Sequence, residues 1–160
     1  MPIPPDHAGP PSSISAAPDS LDHAVRDDAS GSVGVGQVWS LDASGLDPER
    51  LSGEAGKIAL QGLFVALIEA ADLHPIAQPI WHVFGGEHAG VTGIVALSES
   101  HLACHTFPEH GGMTLDLYTC MTRPAPDWQR LISAHLGGAM PVRLQTRVFR
   151  RFLAGPQTRP

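Results

Sequence analysis

Cysteine is scarce in this chain: Cys104 and Cys120 are the only two among 160 residues. Two thiols cannot build the disulfide framework of a small secreted domain, and no paired CxxC gives a zinc spacing, so both read as reduced thiols in a cytoplasm. Basic charge is also in short supply. A net charge of −6, with ten Lys and Arg against sixteen Asp and Glu, lacks the basic face of a phosphate-backbone binder, and no nucleic-acid partner is expected. No apolar run approaches the roughly 20 residues of a membrane-spanning helix. The first residues lack the leading basic charge and continuous apolar stretch of a secretory signal, so no membrane partner is expected and the cytoplasm is the expected location. No internal repeat is visible.

What is present divides at about Gly36. Residues 1–35 are rich in Pro, Ser, Gly, Ala and Asp and cannot bury enough apolar surface to offset their ordering entropy, so a disordered tail is expected there. Residues 36–153 carry periodic patterns and form one domain, with a flexible C-terminus over 154–160. Val38–Asp42 reads as a first strand. Leu60, Leu63, Phe64, Leu67, Ile68 and Ala71 recur at helical spacing and predict a helix from about Gly53 to Leu73, with Ser52 as candidate N-cap. Ile80–Phe84, Val91–Leu97, His101–Phe107 and Met113–Thr119 are strand-like, and Asp127–Leu136 is a second helix stopped by Gly137-Gly138. In the last strand Val142, Leu144, Thr146 and Val148 alternate with Arg143, Gln145 and Arg147, which predicts one buried and one charged face. The order β-α-β-β-β-α-β implies an α+β two-layer sandwich, a mostly antiparallel sheet with helices on one face.

The chemistry concentrates in Gly90-Val91-Thr92-Gly93, Ser98-Glu99-Ser100-His101, His105-Thr106-Phe107-Pro108-Glu109 and Thr119-Cys120. A Glu-Ser pair at a strand-to-strand turn, with a histidine five residues on and a cysteine twenty on, resembles the self-cleavage site of the short prokaryotic S-adenosylmethionine decarboxylases. The resemblance covers roughly Gly36 to Arg151. It implies a proenzyme that cuts itself between Glu99 and Ser100, leaving a pyruvoyl group derived from Ser100 as the cofactor. It makes Ser100, Thr92, His105 and Cys120 the processing and catalytic residues, places Glu109 at the substrate ribose and Phe84 on the adenine, and puts Asp42 near the substrate.

Elementary chemistry agrees with those roles. Ser100 Oγ can attack the Glu99 carbonyl carbon to give a five-membered tetrahedral intermediate that collapses to an ester, and its developing oxyanion needs a donor, which the Thr92 hydroxyl would supply if the hairpin closes at Glu99. His105 is a base of suitable strength to take the Ser100 Cα proton, which eliminates the ester and gives dehydroalanine, then pyruvoyl. The ketone forms a Schiff base with a substrate amine and acts as an electron sink, so that carbon dioxide can leave. Cys120, whose thiol has a reference pKa of about 8.5, can return the proton.

The chain departs from the family's usual pattern toward the substrate. It has His82-Val83-Phe84 for His-Arg-Phe, a link to Gly90 about two residues longer, Phe107 for Trp, Gly112 for Tyr, Met121 for Gly and Thr92 for Ser. Residues that make the cofactor are kept, with Thr92 a conservative change from serine, whereas those facing the substrate have drifted. The reading is therefore a pyruvoyl-dependent decarboxylase of S-adenosylmethionine that supplies the aminopropyl donor for spermidine. Its rivals are a pyruvoyl-dependent ornithine or arginine decarboxylase and a non-catalytic regulatory homologue, the last opposed by the intact Ser100, His105 and Cys120.

Other features have plainer explanations. Cys104 faces away from His105 and reads as a core residue. His101 and His105 lie about 13 Å apart on an extended strand, too far to share one ion, so no metal is expected. Arg143, Arg147, Arg150 and Arg151 read as the wet face and end of the last strand. A sheet with one helical layer leaves its other face uncovered, and sheet-to-sheet pairing with a second copy would cover it, so a homo-oligomer is expected.

Overall fold

The structure, a computed structural model, describes residues 36–86 and 89–151. The tail over 1–35 and the C-terminus over 154–160 lie outside the described residues, as do Glu87 and His88. Six strands, β1 (Gln37–Ser44), β2 (Ile80–Val83), β3 (Val91–Leu97), β4 (Ser100–Phe107), β5 (Gly112–Thr119) and β6 (Arg143–Arg150), alternate with two helices, α1 (Gly53–Ala70) and α2 (Trp128–Leu136). The strands form one sheet in the order β2-β3-β4-β5-β1-β6, with every pair antiparallel. This is the expected α+β sandwich with both helices on one face.

The apolar spacing that predicts α1 is also what buries it. Leu60, Leu63, Phe64 and Leu67 recur at steps of three and four, which places them on one stripe, and all are at most 1% exposed. Ser52 stands at the N-cap but does not accept a bond from the first turn; its hydroxyl donates to the Pro48 carbonyl at 2.8 Å, in a 3-10 turn over Pro48–Leu51. At α2 the cap is conventional. Asp127 accepts from the Arg130 N–H at 3.0 Å, satisfying one of the first-turn donors that a helix leaves unpaired.

Alternation along the strands sorts the sheet into two faces. Trp39, Leu41 and Ala43 of β1, with Leu102 and Cys104 of β4, point to the helices and are buried, whereas Val38, Ser40 and Asp42 point away. Burial pushes the Cys104 thiol up to about 12, in keeping with its role as a small core side chain. Thr106 is a buried polar residue in that layer. Its hydroxyl accepts from the Val91 N–H and donates to the Leu51 carbonyl, both at 2.8 Å, which ties β3, β4 and the turn before α1 together.

The last strand corrects one expectation. β6 is not half buried: apart from Leu144, which is partly covered, its residues are exposed, and Val148 is 50% exposed. It is the outer strand beside β1, beyond the reach of the helical layer, so alternation in its sequence does not translate into burial. Arg143, Gln145 and Arg147 do lie on the open face, as the alternation implied.

Candidate active site

Leu97 of β3 pairs with Ser100 of β4, so Ser98 and Glu99 form a two-residue hairpin loop. Such loops ordinarily place positive φ on the loop residues themselves. Here neither Ser98 nor Glu99 has it, and the positive φ falls on Ser100, at 153°. A side chain with a Cβ is held in that region only when its surroundings impose it, at a cost of about 1–3 kcal/mol. The strain therefore lies on the residue that follows the Glu99–Ser100 bond.

Both sides of that bond are held. The Glu99 carbonyl oxygen, which belongs to the bond itself, accepts from the Cys120 backbone N–H at 2.8 Å. The Glu99 side chain turns inward and is 5% exposed as a residue, accepting from Arg123 Nη2 at 2.8 Å and from the His74 N–H at 3.2 Å, and pairing with His74 Nδ1 at 2.6 Å. Burial alone would raise its pKa, but the hydrogen bonds from the His74 side chain and backbone outweigh it and hold the carboxyl below its ordinary value. Arg123 also bonds Asp72 Oδ2 at 3.0 Å, while its Nε is buried without a partner among the described residues. Ser100 Oγ lies 3.1 Å from His101 Nδ1, and that ring meets Tyr118 edge-on.

A second cluster sits further along the same hairpin. Thr92 pairs in register with His105, and Thr92 Oγ1 and His105 Nδ1 share a hydrogen bond of 2.5 Å. His105 stacks edge-on between Phe84 and Phe107, at ring distances of 5.4 and 4.7 Å. The register places His82, Thr92, His105, Thr114 and Asp42 in one row across the open face, one residue per strand. Glu109 follows in a 3-10 turn over Pro108–His110 at the same end. Glu109 and Asp42 are exposed and Phe84 is 41% exposed, so among the described residues these three line one end of an open surface. A cavity of about 640 Å³ is lined instead by residues such as Gln37, Trp39, Arg123 and Arg150, away from that row.

One proximity expected from sequence is not met. Thr92 and His105 keep each other's company but not that of Ser100, because five strand residues at about 3.3 Å each put His105 about 16 Å away along β4. A tight turn closes a hairpin at its tip only, and Thr92 lies five residues down from it. Within the chain the oxyanion donor next to the Glu99 carbonyl is the Cys120 N–H, not the Thr92 hydroxyl.

A sequence model for S-adenosylmethionine decarboxylase matches residues 37–151, nearly all of the described chain. The chain belongs to the S-adenosylmethionine decarboxylase family. An S-adenosylmethionine decarboxylase proenzyme of Thermococcus onnurineus is 38% identical over 93 residues, 58% of this chain and 62% of that protein. An arginine decarboxylase proenzyme of Caldivirga maquilingensis is 31% identical over 91 residues, 57% of this chain and 62% of that one. The matched stretch thus spans under two thirds of either relative's length. Among solved structures, the adenosylmethionine decarboxylase from Aquifex aeolicus aligns with a TM-score of 0.55 at 26% identity, covering 79% of this chain and 98% of that one.

His74, Arg123 and Asp72 escaped the sequence reading. They are 25, 24 and 27 residues from Glu99 and carry no local motif. Their meeting depends on the segment after α1, which pairs Pro75 with Leu97 and bonds the Ser98 N–H to the His74 carbonyl at 2.8 Å.

Proposed function

We propose that the protein is a self-processing, pyruvoyl-dependent decarboxylase of S-adenosylmethionine, cutting itself between Glu99 and Ser100 and supplying the aminopropyl donor for spermidine. The observation that carries the proposal is the hairpin tip: a serine with φ of 153° directly after a carbonyl that already accepts a backbone hydrogen bond. The strain favours leaving the peptide geometry, and the Cys120 N–H stabilises charge on the Glu99 oxygen as Ser100 Oγ attacks. In that attack the Glu99 C–N bond breaks, a C–O bond to Ser100 forms, and the Ser100 nitrogen takes up the proton. A base then removes the Ser100 Cα proton and the Glu99 carboxylate leaves, and the resulting dehydroalanine tautomerises to an imine that takes up water and releases ammonia to give the pyruvoyl group. A pyruvoyl group at Ser100 would supply the electron sink for decarboxylation. Cys120, whose backbone N–H is bonded to the Glu99 carbonyl, is the residue assigned to hold or return a proton there.

The base is assigned to His105 of a second copy, because within one chain that ring lies about 16 Å along β4 from Ser100. An isologous dimer with its two-fold axis between two facing sheets, perpendicular to the strands and crossing β4 near Ala103, exchanges the two ends of β4. It lays the Thr92–His105 pair of one chain over Ser100 and Cys120 of the other. The same pairing would convert the open row bearing Phe84, Asp42 and Glu109 into a wall of an enclosed substrate site.

Intact mass tests the cleavage: two fragments are expected, the second starting with a pyruvoyl-blocked residue, whereas Ser100→Ala stays whole. Release of labelled carbon dioxide from carboxyl-labelled S-adenosylmethionine, and not from arginine or ornithine, tests the substrate, and the reverse result would assign the activity named for the Caldivirga relative. Co-expression of Ser100→Ala with His105→Ala tests the shared site. Neither variant alone should process, and the mixture should cleave the His105→Ala chain; no cleavage in a mixture shown to contain heterodimer would place the base within the chain.

A further inference from the structure

The cluster of His74, Glu99, Arg123 and Asp72 has no part in the chemistry described so far, yet it surrounds the residue that donates the acyl group. Glu99 is the one acidic side chain among the described residues that is almost fully buried, with its side chain 4% exposed, and it lies at a hairpin tip where a glutamate would ordinarily point to water. Arg123 is sunk with it, its side chain 14% exposed. Removing two charges from solvent costs several kcal/mol per ion before their attraction is counted, so such a pair is poor value as a source of stability alone. The unbonded Nε–H adds to that cost.

We infer that Arg123 is a positioning residue for self-cleavage: by clamping the Glu99 side chain it holds the Glu99 carbonyl on the Cys120 N–H and keeps Ser100 in its strained φ. The guanidinium bonds Glu99 Oε1 at 2.8 Å and Asp72 at 3.0 Å, the Arg123 backbone N–H is tied to Gln37 Oε1 at 3.0 Å, and His74 Nδ1 meets the same Glu99 oxygen at 2.6 Å. Gln37 begins β1 and Cys120 directly follows β5, adjacent strands in the sheet, so the grip refers the scissile carbonyl to the rigid part of the fold. Without it, a two-residue loop would relax toward positive φ at its own residues and release Ser100 to an ordinary strand conformation. Clamping thus converts the folding energy of the sheet into a bond poised for attack, an effect of orientation and not of proton transfer.

The inference rests on cleavage at Glu99–Ser100, so the tests follow the cleavage rate and the turnover separately. Arg123→Ala should cleave at least about tenfold more slowly than the parent, accumulating intact peptide that hydroxylamine does not cut, since the loss precedes the ester. Added guanidinium ion at millimolar concentration should restore part of the rate. Whatever pyruvoyl protein does form should turn over at the parent's kcat per pyruvoyl group. Glu99→Gln, which keeps the shape and an acceptor oxygen but not the charge, should slow cleavage in the same way and serves if Arg123→Ala does not fold. Wild-type cleavage rates in both variants would overturn the inference, as would a loss of kcat equal to the loss of cleavage or accumulation of the ester. A parent protein that never cleaves would instead defeat the proposed function.

Discussion

Glu99 sets the pH response of the fold at the scale of one residue. Hydrogen bonds from His74 keep its folded pKa below the reference of 4.5 despite burial. A depressed carboxyl contributes stability that is complete above the unfolded pKa and lost as the pH falls through the folded one. In a Ser100→Ala background, which keeps the chain whole, denaturant unfolding should find this protein more stable than its Glu99→Gln counterpart above a pH of about 4.5, with the gap closing as the medium becomes more acid. A gap unchanged down to a pH of about 2 would mean that the carboxylate is not bound more tightly to its partners than to water.

At the scale of the element, β2 shows how a glycine admits a large side chain to the sheet. Gly93 lies opposite Trp81 in the register, and a Cβ on it would come within 2.2 Å of the indole ring, which itself packs on Phe64 of α1 at a centroid distance of 4.9 Å. Gly93→Ala should therefore displace Trp81 and destabilise the protein by about 1–3 kcal/mol, as overpacking does, measured as a shift in unfolding midpoint. Because β2 carries His82 and leads into Phe84, the same variant should disturb the ring contacts at His105. The helix α1 was legible from its stripe of leucines alone. β6 was not, because its alternation is the same whether helices cover it or leave it at an edge.

For the whole molecule, the open face of the sheet is the feature to test. Ile80 and Ile94 pair on that face at 71% and 42% exposure, beside Ala103, and Phe149 lies on it at 57%. Apolar residues gathered on one sheet face mark a surface that binds something, and a second copy of the same face is the proposed occupant. Ile94→Glu, which places a charge on that face beside Ala103, should shift the protein toward monomer in sedimentation and slow self-cleavage together, because the partner's His105 would no longer reach Ser100. A monomer that still cleaves at the parent's rate would separate assembly from processing.

The sequence by itself determined the elements, their order, the α+β class and the Glu99–Ser100 hairpin, because periodicity and turn chemistry are local properties of the chain. It also carried the resemblance that named Ser100, His105 and Cys120. Only the tertiary structure decided which of these meet. Register placed Thr92 on His105 and not on Ser100, a loop 25 residues upstream brought His74 to Glu99, and the end of β5 brought Arg123 there. Such contacts depend on strand pairing and on the path of the chain between elements, which no local pattern of residues encodes.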